Sequence, residues 1–326
     1  MLPKLAMCAI ALTISSAAAA DDDWRGVMDE GGRLEQAGNY TAAAEKYREA
    51  ERLAESGDRA PVRLPLTLNA LGLVYDIMGR YADAERQFRR TLTILDRTIG
   101  KENAPYGIVL ANLAAALSAL GRYPEAERLD REALALHERV LGVNDVQVAL
   151  SRNALAEVLV REKRYDEAAR LQAEAAEILE TRSETERLRL GLILINLAAT
   201  KRMLGRKGES VPLLERALPI VEHEVGPGCA VFAGALNNAA LVYTEAGRSQ
   251  EADAAFRRSL EIYERTLGAD HPSYAQVLAN YAAFLERRGD KKQGRKLAAQ
   301  ARAIAVDSAR RNGVGLTVDA ADFLPK

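Results

Sequence analysis

The chain has 326 residues, of which 48% are hydrophobic and 28% charged. That balance fits a folded, water-facing chain and excludes a charge-rich disordered one. Forty-five basic residues stand against 46 acidic ones, a formal net charge of −1, which argues against a dedicated nucleic-acid surface with its basic excess.

At the N-terminus, Lys4 gives a positive charge and Leu5 to Ile14 a mostly apolar run. Ala17 to Ala20 then supplies the small residues of a cleavage site. Residues 1–20 therefore read as a secretory signal peptide, and the mature chain as exported. The alternative is an uncleaved anchor, but Leu5 to Ala20 falls short of the roughly 20 residues that span a bilayer. Lipoprotein processing at Cys8 is disfavoured, because Met7 precedes it where a small residue is needed. Cleavage leaves 44 basic residues against 46 acids, or −2. It also leaves Cys229 as the single thiol, so no internal disulfide can form. Cys229 reads as a small apolar filler at a helix start.

From there the chain is periodic. Gly38-Asn39-Tyr40 is followed by Gly79-Arg80-Tyr81, Gly121-Arg122-Tyr123, Lys163-Arg164-Tyr165, Gly205-Arg206-Lys207, Gly247-Arg248-Ser249 and Gly289-Asp290-Lys291. The spacings are 41, then 42 five times. A period of this size means one supersecondary unit used repeatedly, each copy burying its apolar face on the next. Units are expected to begin near 24, 63, 104, 146, 185, 230 and 272, within a repeat region spanning 21–311.

The third unit shows the grammar. Asn103 is placed to cap a helix with Pro105 in its first turn. Leu110, Leu113, Ala114 and Leu117 form one apolar helix face. Gly121 stops that helix, and Pro124 opens a second, with Ala126, Leu129, Ala133, Leu134 and Leu136 as its buried stripe. Leu141-Gly142 ends it. Each unit is thus a helical hairpin. A small residue stands five places after the motif start in every unit, from Ala43 and Ala84 to Gly294. Another stands seven places before it, from Gly72 and Ala114 to Ala282. Larger side chains at these heights would push the paired helices apart. The fifth unit is the poorest: Lys201 and Lys207 replace usual Tyr or Leu, and Pro219 predicts a kink or break in its second helix. The seventh resembles a cap, and residues 312–326 fit no repeat.

These residues resemble the tetratricopeptide repeat, on Leu71-Gly72, Tyr75, Gly79, Tyr81, Ala84 and Phe88 and their counterparts. The 42-residue period and Leu267-Gly268-Ala269-Asp270-His271-Pro272, ahead of a helix carrying Asn280, are similar to the kinesin-light-chain-type subgroup and its bacterial relatives. The eight residues beyond the family's usual repeat would lengthen the helices by about 12 Å in total. The resemblance implies an all-α, right-handed α-solenoid of about seven antiparallel helix pairs, here exported to the bacterial periplasm or beyond.

It also implies where a partner binds. Nine places before the motif start stand Asn112, Asn196, Asn238 and Asn280; one place earlier stand Asn69, Asn153 and Asn237. Asparagine is an indifferent helix former, so this repetition needs a reason. By resemblance these positions line the concave face, and such asparagines hold the backbone of an extended peptide. Arg161, Arg202 and Arg287 would flank them, with Glu157, Glu245 and Glu286. The competing expectation is that the asparagines bond between adjacent helices and hold the array together.

Catalysis finds no support. His137, His223 and His271 share no ligand spacing, and no metal, phosphate-loop or nucleophile-elbow motif is present, so neither enzyme activity nor a cofactor is expected. The functional expectation is a monomeric or weakly oligomeric scaffold for a protein or peptide partner, with no nucleic acid and no membrane span after cleavage. Self-assembly end to end is the alternative. Glycan binding is a weaker one, because aromatic residues are only 5% of the chain.

Overall fold

The computed structural model describes residues 22–55 and 60–311. The expected signal peptide, 1–20, and the tail, 312–326, lie outside the described residues. Those residues form fourteen α-helices and one 3-10 turn, with no strand. In chain order the helices are α1 (Asp22–Gln36), α2 (Tyr40–Glu55), α3 (Ala60–Ile77), α4 (Tyr81–Thr98), α5 (Ala104–Ala119), α6 (Tyr123–Leu141), α7 (Val146–Arg161), α8 (Tyr165–Glu180), α9 (Arg187–Met203), α10 (Lys207–Val225), α11 (Ala230–Glu245), α12 (Ser249–Thr266), α13 (Pro272–Arg287) and α14 (Lys291–Arg311). They fall into two compact units, divided inside α7 between Ser151 and Arg152.

In the N-terminal unit, α1–α2, α3–α4 and α5–α6 are hairpins, and α2 packs on α3 and α4 on α5. In the C-terminal unit, α9–α10, α11–α12 and α13–α14 are hairpins, with α8 against α9, α10 against α11 and α12 against α13. Each unit therefore has the architecture of an α-solenoid, in which a hairpin covers the apolar face of its neighbour.

Burial separates the two helices of a hairpin. Eleven of the sixteen residues of α5 are buried, and twelve of the sixteen of α11. Only six residues each are buried in the longer α6 and α12. First helices are enclosed on most sides, so apolar residues run around them. Second helices bury one stripe and turn a charged face to water. The stripe expected on α6 is found at Ala126, Leu129, Ala133 and Leu136. Leu134 departs from it: it is half-buried, while polar Asp130 and His137 lie inside the face.

The recurrent motif is a helix stop. Gly79 takes φ +69°, its N–H donates to the Asp76 carbonyl at 3.0 Å, and the Arg80 N–H donates to the Tyr75 carbonyl at 2.8 Å. This is the left-handed closure in which glycine avoids a Cβ clash. The fourth unit keeps the closure without glycine: Lys163 adopts φ 63°, alone among the described non-glycine residues in having a positive φ. The arginine after the stop is also explained. Arg80 pairs with Asp83 through Nε at 2.7 Å, and Arg248 with Glu251 at 2.8 Å. Arg248 also reaches Glu215 at 2.6 Å. The acids that open the second helices thus meet a fixed cation as well as the helix dipole.

Small residues set the hairpin spacing as expected: Ala84, Ala126, Ala168 and Ala252 are fully buried. At Gly72 a Cβ would lie 2.6 Å from the Phe88 ring, so the first helix meets an aromatic face without a side chain of its own. Pro219 does not break its helix. α10 runs from Lys207 to Val225 across both Pro212 and Pro219. Leu214, Ala217 and Val221, on either side of Pro219, are buried, and Gly191 of α9 admits Val221 closely, so packing holds the helix where one ladder hydrogen bond is lost. Lys201, out of pattern in the sequence, ties α9 to α10 by a 2.6 Å bond to Glu209.

Candidate functional site

The asparagines lie on first helices and come together in pairs. The Asn112 amide on α5 donates to Asn69 Oδ1 on α3 at 3.1 Å. Asn196 on α9 donates to Asn153 Oδ1 on α7 at 3.3 Å, and Asn280 on α13 to Asn237 Oδ1 on α11 at 3.0 Å. Each pair is 43 residues apart, one repeat plus one place. The two rows are therefore two halves of one contact, because position ten before a stop faces position nine before the next. Six of the seven asparagines hold adjacent first helices together. In the second pair Glu157 Oε1 accepts from both Asn153, at 3.0 Å, and Asn196, at 3.1 Å.

Asn238 is the seventh. Its facing position on α9 is Ile195, which offers no hydrogen bond. Asn238 is 4% exposed, its carboxamide makes no hydrogen bond to any described residue, and its polar atoms are not fully enclosed. An amide at the surface edge of a packed face is open to water or to a ligand that hydrogen-bonds it. The α9–α11 interface has a different tie two helical turns on: Arg202 Nη1 donates to Glu245 Oε1 at 2.6 Å, again 43 residues apart.

The flanking residues are placed as follows. Arg202 is 12% exposed at its side chain and engaged with Glu245. Arg161 and Arg287 are exposed in the last turns of α7 and α13. Among the asparagines to which the resemblance assigns a role, then, Asn238 is the one whose carboxamide makes no hydrogen bond to a described residue, while Arg202 keeps its Nε buried without a partner.

Two of the three histidines are built into the packing. His137 is 1% exposed on α6. Its Nδ1 lies 2.7 Å from Ser151 Oγ and its Nε2 3.1 Å from the Ala104 carbonyl. A neutral ring donating from Nε2 and accepting at Nδ1 satisfies both, and burial holds its pKa below the ordinary histidine value. Gly107 leaves room for that ring. His271 caps α13, accepting from the Ser273 N–H at 3.1 Å, while His223 is exposed. Cys229 sits half-buried at the N-cap of α11. Among the described residues no group of His, Cys, Asp and Glu is arranged to hold a metal ion.

The repeating hairpin and its helix-stop signature define a class, and the family follows. The tetratricopeptide repeat model matches residues 63–139, 106–181, 147–223 and 231–305, and the chain belongs to that family. No curated protein matches it. Among solved structures, a Rap protein complexed with competence and sporulation factor is similar at 13% identity and TM-score 0.72, covering 90% of this chain and 78% of that one. NprR in complex with its cognate peptide NprX is similar at 13% identity and TM-score 0.62, covering 84% and 79%. A putative kinesin light chain of Podosopora anserina with nearly identical repeats matches at 22% identity and TM-score 0.48, covering 63% and 97%. At these identities the likeness is one of fold.

Proposed function

We propose that this chain is a non-enzymatic scaffold that holds an extended peptide segment of a partner protein against the first helices of its C-terminal unit. The observation that carries the reading is Asn238, whose carboxamide is not fully enclosed and has no partner among the described residues, on a row whose other members are all paired. A carboxamide donates and accepts at once, so it matches the N–H and C=O of a peptide backbone without selecting a side chain. Half-buried Asn280 and exposed Arg287 lie on the neighbouring first helix α13, where side chains of the segment would be read. The complexes of similarly folded Rap and NprR proteins support a peptide ligand by analogy of fold.

The 42-residue period supports placement in the kinesin-light-chain-type subgroup. The apolar run and small residues of 1–20 support export and a periplasmic or extracellular site of action. Fractionation of the native host tests that: recovery of full-length chain in the cytoplasm would overturn it.

The pairing dictates the mutational test. Asn280→Ala removes a helix–helix bond and is expected to lower the melting temperature along with binding. Asn238→Ala removes no intramolecular bond, so it is expected to weaken peptide binding while melting holds. Equal affinity in wild type and Asn238→Ala would remove the proposal.

A further inference from the structure

We propose that the outward face of α14 docks the protein on an anionic lipid surface. α14 carries seven basic residues and one acid, Asp307, in a chain whose formal net charge is −1. Gly294, Leu297, Ala301 and Ser308 are buried and fix which side packs inward. Lys292, Arg295, Lys296, Ala299, Arg302 and Ala303 fall at helical spacing on the other side, and all are exposed. On the second helices α4 and α12 and the stops before α6 and α12, many arginines are neutralised: Arg89 joins Glu85 and Glu125, Arg122 joins Glu85 and Glu125, and Arg248 joins Glu215 and Glu251. On α14, Arg310 meets Asp307 and Arg311 meets Asp270, while Lys291, Lys292, Arg295, Lys296 and Arg302 make no ion pair with a described residue.

The make-up of the face selects the class of partner. A protein interface needs large apolar or aromatic anchors at its centre, and the uncharged residues on this side are Ala299, Ala303 and half-buried Val306. Single-strand binders of nucleic acid stack bases on aromatic rings, and duplex readers bring amides to base edges from among their cations; α14 has no aromatic ring, and its exposed amides, Gln293 and Gln300, lie to one side of the cationic row. A lipid headgroup layer asks only for several cations within reach of one surface, each adding a similar increment of attraction that salt screens.

The test compares partition of the full-length chain into phosphatidylglycerol-containing vesicles with that into phosphatidylcholine vesicles, by co-sedimentation. The ratio cancels whatever the apolar run near the N-terminus contributes to both. The wild type is expected to favour the anionic vesicles, and the preference to vanish at high salt. Lys292→Gln/Arg295→Gln/Lys296→Gln/Arg302→Gln is expected to lower the ratio by roughly tenfold or more. The charge-keeping Lys292→Arg/Arg295→Lys/Lys296→Arg/Arg302→Lys controls for folding and is expected to keep it. A wild-type ratio near one, a glutamine variant that matches the wild type, loss of preference in the charge-keeping variant, or tighter binding to a DNA duplex than to anionic vesicles would each overturn the proposal.

Discussion

Lys163 shows what one residue does to a repeated design. Its backbone occupies the left-handed region that glycine fills at the equivalent stops, such as Gly121 and Gly205. That conformation costs an L-residue about 1 kcal/mol or more. Lys163→Gly is therefore expected to stabilise the protein by about 1 kcal/mol, read from urea denaturation; a destabilisation would mean that the side chain makes up for the strain. His137 gives a second prediction. Burial lowers its folded pKa, so the unfolded chain takes up a proton more readily. The stability it contributes is complete above the unfolded value of about 6.5 and is lost as pH falls from there toward the depressed folded value. The difference in unfolding free energy between wild type and His137→Gln should shrink as pH is lowered through about 6.5. A difference independent of pH would show the ring is not held neutral. The sequence marks Lys163 plainly, as the one stop spelled without glycine. It does not mark His137, because nothing in the local pattern says that Ser151 and Ala104 converge on that ring.

At the scale of the element, the helix hairpins and their stops are legible because helical periodicity, glycine and proline are local signals. Asn103 caps α5 with a 2.9 Å bond from the Tyr106 N–H, as its position before Pro105 predicts. Pro219 misleads because the rule that proline breaks a helix ignores tertiary packing around Leu214 and Val221. The asparagine rows are visible in the sequence, while their pairing is hidden in the 43-residue offset between the rows. That contact is measurable. A double-mutant cycle on Asn69 and Asn112 should give a coupling of about 0.5–1.5 kcal/mol, since each single alanine strands the other amide. No coupling would mean that water serves the amides equally well. Gly72→Ala should cost about 1–3 kcal/mol by forcing the Phe88 ring aside, and Phe88→Leu in the same chain should recover part of that loss.

At the scale of the molecule, the repeated hairpin makes stability largely a sum of neighbouring contacts, so function can sit where one contact is missing without unfolding the rest. The α9–α11 interface is such a place. It lacks the amide pair found at α7–α9 and α11–α13 and substitutes the Arg202–Glu245 bond. The repeat period discloses the family, and nothing in it discloses which asparagine is left over; that depends on Ile195, one repeat away. The most direct measurement takes an extended peptide selected on the wild-type chain from a displayed random library. Its affinity for wild type and for Asn238→Ala is measured by calorimetry, with melting followed in parallel. Loss of a hydrogen bond to a buried amide predicts a Kd about tenfold weaker, at an unchanged or slightly raised melting temperature. An unchanged Kd, or a weaker one that appears only with a fall in melting temperature, would contradict it.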